Sequence, residues 1–182
     1  MNPNPSRSFP DALIQRQLFD EVYKRYLDEK EAHESEDFEE IRELDASCLP
    51  ISNISSFTVF RNLRSLDLSF TEVIDLSPLA ELPHLEELHL TFHRGILLEG
   101  LDTLTQIRIL DLSYPRHRIP ALDRVGYLEN LEELYLNGCG LTTIAHTIPL
   151  EKLKVLTVSF NRIPSPERAA FRELYPECAL LD

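Results

Sequence analysis

The chain has no Trp, one Met, 5 Gly and 3 Cys among its 182 residues. So little glycine leaves no phosphate-cradling loop: G-x-G-x-x-G is absent, and the densest run, Asn137-Gly138-Cys139-Gly140, precedes no helical pattern. Cys48, Cys139 and Cys178 are odd in number and widely spaced, without a C-x-x-C pair. That pattern fits reduced thiols better than a disulfide framework. No stretch reaches the ~20 apolar residues of a membrane span, and residues 1–9 (MNPNPSRSF) lack the apolar core of a secretory signal. The expectation is a cytoplasmic chain without membrane contact. Basic residues are scarce as well: 18 Lys+Arg stand against 31 Asp+Glu, a net charge of -13. Direct nucleic-acid binding is therefore not expected, because affinity for phosphate comes from Lys and Arg.

What is present is a period. The pattern L-x-x-L-x-L begins at Leu63, Leu85, Ile107, Leu131 and Leu153, and a degenerate copy begins at Ile41 (Ile41, Leu44, Ala46). Successive starts lie 22, 22, 22, 24 and 22 residues apart. A repeat of this length cannot bury its apolar face alone; it must stack on its neighbours, each contributing one short strand to a parallel sheet. The segments 10–40 and 165–182 flank the array. From Pro10 to Lys30 apolar residues recur at helical spacing, behind a Ser8/Asp11 capping pair. Residues 165–175 read as a second helix, followed by Pro176 and the apolar stretch Cys178 to Leu181. The division expected is a flexible tail (1–9), a capping helix with an acidic segment (10–40), repeats (41–164) and a C-terminal cap (165–182).

These residues resemble the leucine-rich repeat family, whose consensus is L-x-x-L-x-L-x-x-N-x-L. The period and the stretch LSFTEVIDLSPLAELPHLEEL are most similar to the short repeats of bacterial internalins and of the phosphatase-regulating subclass. The resemblance covers roughly residues 41–182. It implies an α/β solenoid: a short arc with a parallel concave sheet of about six strands, an N-terminal helical cap and a C-terminal cap of helix plus strand. It also implies a binding scaffold rather than a chemistry. The consensus Asn survives only as Asn161; Leu49, Thr71, His93, Pro115 and Cys139 replace it. Irregular loops are expected at those corners, with the two extra residues of the 24-residue repeat bulging in Tyr114 to Pro120. Cys178 is read as a buried residue of the cap.

Strand side chains alternate, so the residues flanking each central Leu face the concavity and form rows. The row after it is Asp45, Asp67, His89, Asp111, Tyr135, Thr157; the row before it is Glu43, Ser65, Glu87, Ile109, Glu133, Val155. The face is acidic over its N-terminal two-thirds, and like charges in register on neighbouring strands destabilise unless something basic meets them. A further row, Phe70, Phe92, Tyr114, Gly138, Phe160, is either an exposed ladder at the rim or a set of rings packed on one another. Arg94, Arg116, His117, Arg118 and Arg162 lie beside it on the loops.

Asp67, His89 and Asp111 make a carboxylate–His–carboxylate trio, but side chains on one sheet diverge and nothing closes a coordination sphere, so no metal or other cofactor is expected. Nor is catalysis, since carboxylates on an open sheet have no pocket to desolvate them. The expected function is a monomeric, non-enzymatic interaction module that binds, and by binding inhibits or neutralises, a basic protein. Its candidate contacts are Asp45, Asp67, Phe70, Glu87, His89, Phe92, Arg94, Asp111, Tyr114, Arg116, Arg118, Glu133, Tyr135 and Phe160. The alternative is a scaffold or regulatory subunit contacted through its convex side, its caps or the acidic segment.

Overall fold

A computed structural model describes residues 38–93, 99–117, 122–145 and 151–182. The predicted N-terminal helix and tail, most of the acidic segment, and Arg94 and Arg118 lie outside the described residues.

Every L-x-L segment forms one three-residue strand. These are β1 (Glu43–Asp45), β2 (Ser65–Asp67), β3 (Glu87–His89), β4 (Ile109–Asp111), β5 (Glu133–Tyr135) and β6 (Val155–Thr157), to which the C-terminal cap adds β7 (Ala179–Leu181). All seven pair in parallel and in sequence order, β1 to β7, in one open sheet. The central Leu of β1 to β6 is buried (Leu44, Leu66, Leu88, Leu110, Leu134, Leu156), as is Leu180 of β7. The sequence-derived register of two flanking rows is the observed one, residue for residue.

The chain returns through short 3-10 turns, Ser55–Val59, Ser77–Glu81, Leu101–Thr103 and Leu122–Tyr127. Twenty-odd residues per coil leave length for a single tight turn rather than a full α-helix. Phe57, Leu79 and Leu101 of these turns meet the strand leucines in one continuous core. Coil is tied to coil beyond the strands, as in Leu68 N–H to His89 O (2.9 Å) and Leu90 N–H to Asp111 O (2.8 Å).

The C-terminal cap is as expected. Helix α1 (Ser165–Leu174) follows Pro164, carries Pro166 in its first turn and buries Phe171. Arg168 and Arg172 both pair with Asp182, at 3.1 and 2.7 Å, and clamp the helix to the end of β7. Glu167 ties the helix back to the repeats: its Oε1 accepts the Thr143 hydroxyl (2.6 Å) and the Ile144 N–H (2.8 Å). The Thr143 hydrogen bond, more than the backbone ones, holds that carboxyl below its usual range. Cys178 is buried and unbridged, its thiol pushed up by burial.

The corners correct one expectation. Cys48, Phe70, Phe92, Tyr114, Gly138 and Phe160, each preceding a consensus-Asn position, all adopt left-handed φ between 51 and 63°. The turn is therefore regular although the Asn is lost. Side chains of other kinds fill its place: Leu49, Thr71, His93 and Cys139 are buried there. Thr71 Oγ1 donates to Leu68 O (2.6 Å) and Cys139 Sγ to Leu112 O (3.3 Å). Asn161 makes the full set, donating to Leu136 O and Val158 O and accepting from Leu141 N–H.

Candidate functional site: the open face of the sheet

The face turned away from the core carries the two flanking rows. Glu43 and Asp45 on β1 are exposed, and Asp67, Glu87, His89, Asp111, Glu133 and Tyr135 are half-buried between neighbouring strands. Towards β7 the face turns apolar, with Val155, a buried Thr157 and, in register beside it, Leu181.

The register changes the charge argument. Only Asp45 and Asp67 stand opposite each other as like charges; Glu43 and Glu87 are separated by Ser65, Asp67 and Asp111 by His89, and Glu87 and Glu133 by Ile109. The three Asp residues also have local work. Asp45, Asp67 and Asp111 each accept the N–H two residues on, from Ser47, Ser69 and Ser113, at 2.7 to 2.8 Å. They shape the tight turn that follows the strand, in the manner of Asx turns. The D-x-S spacing at these three places is the signal for that role, and it went unread in the sequence. Ser69 and Ser113 are spent in turn: Thr91 Oγ1 lies 2.7 Å from Ser69 Oγ, and Asn137 N–H reaches Ser113 Oγ at 3.2 Å.

Tyr135 donates its phenol to Glu133 Oε2 at 2.6 Å. That hydrogen bond, reinforced by partial burial and by the charges of Glu133 and Asp111, pushes the phenol up to about 12. In an ultraviolet titration, one tyrosine of the wild type should ionise near pH 12, and Glu133→Gln should bring it down towards the ordinary value of about 10. A wild-type profile in which all tyrosines ionise together would contradict the contact.

Three residues beyond the Asp row runs the aromatic row, and both alternatives offered for it hold together. Equivalent residues one strand apart sit ~4.8 Å from each other, which is stacking distance. Phe70 and Phe92 stack at 4.6 Å and 16°, Phe92 and Tyr114 at 5.3 Å and 13°. Phe160 follows at 6.1 Å, tilted by 46°. The pitch breaks at Gly138 because the Tyr114 ring occupies its side-chain space: a Cβ there would lie 2.5 Å from Tyr114 Cδ1. Phe70 and Phe92 nonetheless remain 44% and 40% exposed, and Phe160 81%. Bulky residues in the left-handed region cost on the order of 1–2 kcal/mol each, an amount that offset stacking returns only in part. Arg116 and His117 are exposed beside Tyr114, and Arg162 beyond Phe160.

An ion-pair row was missed altogether. Two residues before each central Leu stand Arg64, Glu86, Arg108, Glu132 and Lys154, and they join across the strands: Arg64–Glu86 (3.3 Å), Arg108–Glu86 (3.5 Å), Arg108–Glu132 (2.8 Å) and Lys154–Glu132 (2.5 Å). Lys154 and Arg108 hold Glu132 below the usual carboxylate range, and Glu132 in turn raises Arg108. Reading the same 22-residue period at this position, where charge alternates from coil to coil, would have found it. The shallow groove along this edge is closed chemistry: Gln106 donates to Leu82 O, Asn130 to Thr105 O and Lys152 to Asn130 Oδ1.

Among the described residues no group of three His, Cys, Asp or Glu side chains is arranged to hold a metal ion. Among them, too, no helix is long and apolar enough to cross a membrane.

The family model described as Leucine Rich Repeat matches residues 130–149. No curated protein matches the sequence. Solved structures do. An internalin C2 of Listeria monocytogenes is 24% identical at a TM-score of 0.57, over 73% of this chain and 56% of its own. A second internalin of that organism, InlF, is 22% identical at 0.54, over 72% of this chain and 38% of its own. A leucine-rich repeat protein of Leptospira interrogans is 21% identical at 0.52, over 72% and 40%. The chain thus spans between about two-fifths and just over half the length of these proteins, and the likeness is one of fold. With one repeat matched by the family model and the same coil carried through the whole described sheet, this chain has the fold of a leucine-rich repeat solenoid.

Proposed function

We propose that this chain is a non-enzymatic protein-binding module that takes a basic protein on the open face of its sheet, and that binding is how it inhibits or neutralises that protein. The leucine-rich repeat fold supports a protein-protein interaction module in general terms. The observation that carries the more specific reading is the division of charge between adjacent rows. Arg64, Arg108 and Lys154 are engaged by Glu86 and Glu132, whereas no ion pair among the described residues involves Asp67, Glu87, Asp111 or Glu133. Among the described residues these four carboxylates of the open face thus have no ion-pair partner, and they lie beside exposed aromatic rings of the kind enriched in interface hot spots. Electrostatic complementarity of this sort chiefly sets orientation and encounter rate.

The test is a pull-down from source-cell lysate at ~0.15 M salt, close to physiological ionic strength. Wild type is compared with Asp67→Lys/Asp111→Lys and with Phe92→Ala/Asp111→Lys/Tyr135→Ala. A basic protein held by the wild type should be lost from both variants, an effect of at least about tenfold in affinity for paired charge reversal. Full retention by both would remove the open face from the reading. The scaffold alternative, contact through the convex side, the caps or the acidic segment, would then stand, with Tyr127 at the end of the return turn Leu122–Tyr127 and Leu174 at the end of α1 exposed by 64% and 71%.

A further inference from the structure

We propose that the strip over β2 to β4 seats a proline-rich segment in the polyproline II conformation, with basic residues three positions apart. This rests on the reading above that the partner is basic, and it names the form of the basic element.

Spacing decides the form. Asp67 and Asp111 face outward two strands apart with His89 between them, a separation of about 9.6 Å at the ~4.8 Å spacing of paired strands. A polyproline II helix repeats every three residues at ~3.1 Å each, so residues i and i+3 lie on one side about 9.3 Å apart. An extended strand puts same-side residues about 6.6 Å or 13 Å apart. In an α-helix the nearest match is i and i+7, about 10.5 Å.

The surface alongside has the matching chemistry. Phe70, Phe92 and Tyr114 present a continuous strip three residues from the acidic row, with its regular pitch confined to these same strands. Proline-rich ligands dock on aromatic strips because their backbone is ordered before binding and little entropy is lost. Charge fixes the orientation: Asp67 and Asp111 come three residues before the aromatic positions, while the exposed Arg116 and His117 follow Tyr114 in the chain, so the basic residues of the segment turn towards the Asp row. The bound segment is thus of the type basic-x-x-basic with proline at the intervening positions.

The probe is a fluorescein-labelled (Arg-Pro-Pro)4 peptide, read by anisotropy at ~0.15 M salt against the full chain. The competitors are an Arg-Gly-Ser repeat of the same length and charge, the same Arg and Pro content with the arginines clustered at one end, and a Lys/Leu amphipathic helix. The alternating peptide should bind at least about tenfold more tightly than any of the three, a margin of one good charged contact. Asp67→Asn/Asp111→Asn and Phe92→Ala should each weaken it by about tenfold or more; Phe92→Leu, which keeps apolar volume, serves should the alanine variant lose its circular dichroism spectrum. Equal binding of the Arg-Gly-Ser repeat, or tighter binding of the helix, overturns the polyproline assignment and leaves the basic-partner reading in place. Failure of all four peptides while the charge-reversal variant still loses its protein in the pull-down has the same meaning. Loss of both effects overturns both.

Discussion

Gly100→Ala is expected to destabilise the protein by about 3 kcal/mol or more, the sum of a left-handed penalty near 1 kcal/mol and an overlap of about 2 kcal/mol. Gly100 has φ +80°, and a Cβ placed on it would lie 2.4 Å from Ser77 N and 2.6 Å from Ser77 Cα. Those are backbone atoms, and the backbone there is held. Asp75 bridges Glu99, Leu76 N–H donates to Glu99 O at 2.7 Å, and Asp75 Oδ1 accepts the Ser77 N–H at 2.9 Å. Neither coil can withdraw without breaking a hydrogen bond to its neighbour. Gly140 supplies the control, since its φ is +69° but a Cβ would meet nothing within 4 Å. Gly140→Ala should therefore cost only the conformational part, about 1 kcal/mol. Urea unfolding of the two variants beside wild type separates the terms, and equal losses would show that the Gly100 contact relaxes freely.

Leu110→Ala is expected to cost about 2–5 kcal/mol, the range for removing a fully buried leucine and leaving a cavity. Leu110 is 0% exposed at the centre of β4, the middle strand of seven, paired with Leu88 on one side and Leu134 on the other. In a stacked array each coil contacts only its neighbours, so a cavity here weakens two interfaces at once. The result is expected to show in cooperativity as well as in midpoint: a lower urea m-value, or a second transition, as the halves on either side of β4 uncouple. Leu180→Ala in β7, the last strand, has a neighbour on one side only and should lower the midpoint without splitting the transition. A single unshifted transition for Leu110→Ala would contradict the nearest-neighbour account of this sheet.

The legible parts of the structure are those that follow from period alone. The six-fold L-x-x-L-x-L pattern gives the strands, their parallel order and the rows of the open face, because an in-register stack places residue i beside its equivalent about 22 positions later. The cap helix was legible at residues 165–175, ahead of Pro176, and it ends at Leu174 rather than Tyr175. Less visible were interactions in which the same residue type serves two ends. The Asp of each D-x-S turn looks like an outward charge, and only the placement of the Ser N–H reveals a turn-forming acceptor. The alternating Arg/Glu row was written in the sequence at the same period, but polar positions before a strand carry no hydrophobic signal to single them out.

The sequence by itself therefore determined the coil, the register, the deficit of basic residues and the identity of the side chains on each row, since these depend on residue type and repeat length. Only the tertiary structure decided which of the described carboxylates carry ion pairs, and that the aromatic row is at once stacked and exposed. It also showed that the corners stay regular without their asparagines. Those outcomes turn on differences of an ångström or two between neighbouring coils: whether Arg108 reaches Glu132, whether a ring at φ near 60° meets its neighbour, and whether a buried Thr71 or Cys139 finds a carbonyl. A one-dimensional pattern sets who the neighbours are, whereas the packing of one coil on the next sets how close they come.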